Sequence, residues 1–221
     1  MKRQVKRLMA YFYMPLIFTV IGYAILYVAC APVIELASTI GTMILVKDVP
    51  SFQTELGSIY EGVTFQIDSQ PETVSVKEVE WPTIGKQYGK LSCDRIGLET
   101  PVYFGDSNAI LKNGAGQYHG TFLPGYGKPI MLCAHNTTFF APLQNVETGD
   151  IFTFTTNYGI YQYQVTGTRI ADHNDSTAYD LLQDNEQLIM YTCYPFERMV
   201  GTKTDRLFVY ADKIAGPVVV D

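Results

Sequence analysis

Residues 188–208 read LIMYTCYPFERMVGTKTDRLF. An apolar run, 188–192, ends on Cys193, a polar loop follows, and Arg206 opens a second apolar run at 207–211. Two strand-like runs joined by such a loop predict a hairpin. That hairpin would bring Cys193 and Arg206 side by side on neighbouring strands. Cys193 then has four readings: a small buried hydrophobe, a disulfide partner, a metal ligand or a nucleophile.

Working outward, the pattern from residue 81 onward is one of many short strands. The clearest is IYQYQVT, 160–166, in which Tyr161, Tyr163 and Val165 share one face and Gln162, Gln164 and Thr166 the other. Further candidates are 83–92, 98–103, 129–133, 151–155 and 187–192, separated by Gly/Pro punctuation such as GTFLPGYGKP at 120–129. Only 140–145 and 176–182 suggest short helices. The fold class is therefore all-β, a closed β-barrel of roughly 135 residues.

The N-terminal half differs. Residues 1–46 carry Lys2, Arg3, Lys6 and Arg7 against one acid, Glu35, and residues 8–34 hold no charge. About 20 apolar residues cross a bilayer as a helix, and the flanking basic residues place the N-terminus in the cytoplasm. The expected order is a cytoplasmic 1–7, a transmembrane anchor at 8–34, a juxtamembrane segment and acidic stem at 35–80, and a β-barrel at 81–221. A cleaved signal peptide and a lipoprotein signal ending at Cys30 are the competing readings. The apolar stretch is long for the first, and YVAC lacks the usual leucine for the second. The barrel would then lie outside the cell, with the chain crossing the membrane once. No basic stripe follows the first turns, which argues against nucleic acid as a partner.

Of the four cysteines, Cys30 falls in the apolar segment, leaving Cys93, Cys133 and Cys193. No CxxC spacing exists, so a structural zinc site is not expected. A Cys93–Cys133 disulfide is permitted and would leave Cys193 odd. His119 and His173 sit in polar or Gly-rich loops and read as surface residues. His135 follows the apolar run 129–134, where a strand opens into a loop, a favoured place for functional side chains. Arg206 has two readings: a fixed positive charge beside the thiol, or an edge arginine paired with Asp205 or Glu197. Arg198 is its rival, inside the loop.

Together these residues resemble the sortases, membrane-bound cysteine transpeptidases of Gram-positive bacteria. The family carries a histidine after a strand (here CAHN), a T-L-x-T-C signature (here LIMYTC), and an arginine about a dozen residues later at the start of the last strand. All three occur in family order, and GAGQYHGTFLPG, TCYPF and the Val200-Gly201 pair look most like class D. The resemblance covers about residues 83–214 plus the anchor. It departs at the start of the signature, and the turn at 112–128 contains no acid. The calcium site that class A members build there is therefore not expected, and activity should not need calcium.

The resemblance implies a sortase-type barrel of about eight strands with short helices. It implies cleavage of an LPxTG-like signal between Thr and Gly, with transfer of the protein to a cell-wall amine or a pilin lysine. Cys193 is the nucleophile in that scheme, His135 the general acid/base and Arg206 the oxyanion or substrate stabiliser. Thr192, Ala178, Tyr179 and Leu181 would line the substrate groove, and no metal or organic cofactor is needed. No lid motif is evident in 47–80, which favours anchoring over pilus building. The competing class is a catalytically silent, membrane-tethered β-barrel binding module. Papain-like and caspase-like enzymes do not fit, by chain order and by the missing QACxG signature.

Overall fold

The computed structural model describes residues 13–14, 16–24, 26, 70–197 and 203–221. The described residues between 13 and 26 are helical, with apolar side chains such as Leu16 and Phe18 exposed. No helix among the described residues is long and apolar enough to cross a membrane. The expected span at 8–34 lies largely outside the described residues, as does Arg198.

The remaining described chain forms ten strands: β1 (Thr73–Ser75), β2 (Gln87–Cys93), β3 (Leu98–Phe104), β4 (Ala115–Gln117), β5 (Ile130–Cys133), β6 (Ile151–Thr156), β7 (Ile160–Asp172), β8 (Gln187–Tyr194), β9 (Asp205–Ala215) and β10 (Val218–Val220). Eight of them close a barrel in the order β2-β3-β4-β5-β8-β9-β7-β6. Closure leaves the eight-stranded sheet without an unpaired edge. The two short helices read at 140–145 and 176–182 are 3-10 turns, Ala141–Asn145 and Ser176–Ala178.

Alternation fills the barrel as read from β7: Tyr161, Tyr163 and Val165 are fully buried, with Leu91, Leu132, Phe152, Phe154, Leu188, Met190 and Val209 from the other strands. Side chains of this size each contribute about 1.5–3 kcal/mol on burial. A register shift between Val165 and Gly167 interrupts the alternation. Beyond it, Gly167, Arg169 and Ala171 face outward rather than into the barrel.

The carboxylate of Glu186, nearly sealed from solvent, ties the glycine-rich loop to the start of β8. It accepts hydrogen bonds from Gly125 N and Gly127 N (both 3.0 Å) and from Tyr163 Oη (2.6 Å), and Lys213 Nζ lies 3.4 Å away. Gly125 and Gly127 take φ of +95° and +67°, a region that other residues adopt only with strain.

Part of the expected stem belongs to this body. β1 pairs in parallel with β10, Val74 and Val79 join the core, and Gln70 exchanges two hydrogen bonds with Ile160 (2.8 and 2.9 Å). Val79 lies between Glu78 and Glu80 and is buried where the 3-10 turn after β1 ends.

Candidate active site

The site lies on the outer face of β5, β8, β9 and β7, whose opposite face is the core. Successive side chains of a strand point to opposite faces, so the register fixes which residues meet. Met131, Ile189, Tyr210 and Gly167 form one cross-strand row. Cys133, Tyr191, Phe208 and Arg169 form the next. Cys193, Arg206 and Ala171 form the third.

β5 pairs with β8 in parallel, Cys133 opposite Tyr191. The ladder stops there, but Thr192 Oγ1 donates to Ala134 O at 2.7 Å, adding one further tie between the two chains. Two residues past Cys133, His135 therefore stands level with Cys193. His135, Cys193 and Arg206 occupy three adjacent chain segments at one end of the barrel, with the cysteine in the middle. Asn136 Nδ2 donates to Pro195 O at 3.2 Å and ties the loop after His135 to the segment after Cys193. Sequence reading passed over Asn136; its signal was its position directly after the candidate histidine.

Burial separates the cysteines. Cys93, Cys133 and Cys193 are all free thiols, so the permitted Cys93–Cys133 disulfide is not formed. β2 and β5, which carry them, are not neighbours in the barrel. Burial pushes the Cys133 thiol up to about 11, partly offset by a hydrogen bond with Tyr191. Burial likewise raises Cys93. Cys193 is half-buried, and among the described cysteines it alone is partly open to solvent.

Arg206 is half-buried and donates from Nη1 to Lys203 O and Asp205 O, both at 2.9 Å. Among the described residues no carboxylate forms an ion pair with it, so pairing with Asp205 or Glu197 is not what holds this side chain. A guanidinium fixed by backbone carbonyls beside the thiol can stabilise a thiolate or an oxyanion.

Ala178, Met131, Ala171, Ile189 and Phe208 form an outer apolar cluster, with Leu181, Tyr191 and Tyr210 packed against it. Tyr179 is partly exposed, its ring 6.2 Å from that of Phe208. The loop between β7 and β8 thus packs Ala178, Tyr179 and Leu181 against the outer face that also carries Cys193. Thr192 is placed differently from expectation. It is 2% exposed and faces the barrel interior, because its neighbour Cys193 takes the outward position. Its hydroxyl is bonded to Ala134 O, and the residue is turned away from the outer face where a substrate-lining role was expected. His119 and His173 lie in exposed loops, near Asp106 (4.0 Å) and Thr204 O (3.1 Å) respectively.

A family model described as the sortase domain matches residues 91–214. Sortase D of Bacillus subtilis (strain 168) is 31% identical over 133 residues, which is 60% of this chain and 67% of that protein. The solved structure of sortase C from Clostridium perfringens SM101 superposes with a TM-score of 0.53 at 27% identity, over 60% of this chain and 72% of that one. A Clostridium perfringens Sortase D5 transpeptidase gives 0.57 at 21% identity, covering 72% and 95%, a likeness of fold.

Proposed function

Given that the chain belongs to the sortase family, with its general role in transpeptidation, we propose that it is a membrane-anchored cysteine transpeptidase. It acts on surface proteins bearing an LPxTG-like sorting signal. The observation that carries this reading is the pairing of Cys193 with Arg206 on one side, and the Thr192–Ala134 bond that levels His135 on the other.

An unperturbed thiol is mostly protonated at neutral pH, so the nucleophile needs the positive charge of His135 and Arg206 beside it. The Cys193 thiolate attacks the carbonyl carbon of the Thr–Gly bond, and the oxyanion of the tetrahedral intermediate is held by the Arg206 guanidinium. Collapse breaks the C–N bond. His135 in its protonated form gives a proton to the departing glycine amine, leaving a thioester on Cys193. An amine from a cell-wall peptide precursor or a pilin lysine then attacks the thioester. Neutral His135 takes the proton from that amine, and Cys193 leaves as thiolate. The apolar wall of Ala178, Tyr179 and Leu181 accommodates the leucine and proline of the signal. No step calls for a metal or an organic cofactor.

Anchoring to the wall is favoured over pilus assembly on the sequence of residues 47–80, which carries no lid motif. The chain is placed in the cell membrane with its barrel outside, on the strength of the uncharged stretch 8–34 and the basic residues before it.

The test incubates the full-length chain in detergent with an LPxTG-type peptide and hydroxylamine, followed by mass spectrometry, with Cys193→Ala as control. A threonine hydroxamate and a trapped acyl-Cys193 are expected. An uncleaved peptide with a readily alkylated Cys193 would replace the signal assigned here. An uncleaved peptide with an inert Cys193 would favour a silent binding module.

A further inference from the structure

The register shift in β7 does more than break a pattern: it turns Arg169 onto the outer face, opposite Phe208 and two residue pairs from the Arg206–Ala171 pair. There Arg169 makes three hydrogen bonds to the loop that walls the groove. Nη1 donates to Thr177 O (2.8 Å), and Nη2 donates to Asp175 Oδ2 (2.6 Å) and Thr177 Oγ1 (3.1 Å). Asp175 in turn accepts from Thr177 N (2.9 Å) and Thr177 Oγ1 (2.6 Å), closing the turn on itself. A second hold comes from the floor, where Tyr210 Oη donates to Ala178 O at 2.6 Å. Ala178, held by Tyr210 and next in chain to the Arg169-bonded Thr177, is 2% exposed.

We propose that Arg169, assisted by Tyr210, is a positioning residue for substrate. By fastening residues 175–178 to the barrel it keeps the groove wall formed before an extended apolar peptide arrives. This rests on the reading of the groove given above. An exposed ion pair alone is worth little, and its strength is not the point. A loop of short polar residues that must order on binding charges its ordering entropy to affinity. A loop already held leaves that affinity to the peptide. Arg169 makes its three bonds to the loop and acts through the wall, not on the reacting atoms.

The test compares the full-length chain with Arg169→Ala, Arg169→Lys and Tyr210→Phe in two measurements. Hydrogen exchange at the Thr177 and Ala178 amides reads the clamp without any substrate. Steady-state cleavage of the LPxTG-type peptide, resolved by hydroxylamine, reads its use. Arg169→Ala should speed exchange there and raise KM at least about threefold with kcat held within about twofold, the pattern of lost ground-state binding. Arg169→Lys, with one ammonium for three acceptors, should fall between. Tyr210→Phe removes a single hydroxyl and should shift KM the same way even if Arg169→Ala folds poorly. Unchanged exchange overturns the clamp; faster exchange with unchanged KM overturns its role in binding, as does a fall in kcat alone. A wild-type chain that leaves the peptide uncleaved refutes the signal assigned above and not the clamp, which the exchange data then decide.

Discussion

Thr192 and Ala134 are joined by a buried hydrogen bond, Oγ1 to carbonyl at 2.7 Å, and each immediately precedes a residue of the proposed chemistry. The β5–β8 ladder ends at Cys133–Tyr191, so this bond extends the alignment by the one step that His135 and Cys193 require. Thr192→Val keeps the shape and leaves the Ala134 carbonyl buried without its donor, at a cost of about 1–3 kcal/mol. Its kcat/KM should fall about tenfold or more, because small displacements of a reacting pair are expensive. Thr192→Ser should retain most activity. Equal activity in Thr192→Val, with a lowered melting temperature, would make the bond purely structural.

Alkylation should find one cysteine among the three in the barrel. Cys133 and Cys93 are buried thiols, the former with its ionisation pushed up to about 11. Iodoacetamide near neutral pH should label Cys193 quickly and the others only on unfolding, read by peptide mass mapping. The sign for stability follows from the same shift. A thiol held neutral by burial contributes fully below its unfolded value near 9.0 and loses that contribution as pH rises towards about 11. Cys133→Ala should therefore flatten the decline in melting temperature over that alkaline range.

Arg206 should matter to turnover far more than Arg198. Arg206→Ala should lower kcat by about 10²-fold, the usual loss on removing an oxyanion donor. Arg206→Lys should recover little, since one ammonium does not reproduce a planar guanidinium held by two carbonyls. Arg198→Ala should leave kcat within about threefold of the wild type. Equal losses at both positions would transfer the role, and a peptide-cleavage assay on the three variants decides it.

What the sequence disclosed, and what it hid, follow from local geometry. The barrel was legible because Tyr161, Tyr163 and Val165 alternate cleanly with polar neighbours. The placement of His135, Cys193 and Arg206 near strand ends was legible because each follows or opens an apolar run. β7 runs on to Asp172, six residues past the expected end, because the bulge after Val165 swaps the faces and its partner β9 supplies the pairing. No period-2 pattern survives such a swap. β1, β4 and β10 are three residues each, too short to carry a pattern. The misplacement of Thr192 was avoidable: a residue beside the nucleophile on a strand must face the other way.

Strong acid should loosen the corner between β2 and β6. Arg95 donates to both carboxylate oxygens of Asp150 and to Asn145 O, and Asp150 also accepts from Glu147 N at 2.8 Å. The Arg95 hydrogen bond holds the Asp150 carboxyl below the usual carboxylate range. A depressed carboxyl contributes stability above its unfolded value near 3.8 and loses it as pH falls through the lower folded value. Asp150→Asn should lower the melting temperature at neutral pH, and its gap to the wild type should narrow as pH falls below 3.8. A gap that stays constant with pH would show that the charge contributes nothing there.

The boundary of the stable domain should lie upstream of Gln70 rather than at residue 81. Gln70 clasps Ile160, β1 pairs with β10, and Val74 and Val79 are 4% and 9% exposed within the core. A chain begun at residue 81 loses both valines, worth about 1.5–3 kcal/mol each when fully buried. It also leaves β10 without its only strand partner among the described residues. One kcal/mol moves the melting temperature of a domain this size by about 2–8 °C. A chain begun just before Gln70 should therefore melt several degrees above one begun at 81, at equal specific activity well below either transition. Coincident melting curves would show that the β1–β10 pair is an ornament on the barrel, and that the acidic stem ends where its charge does.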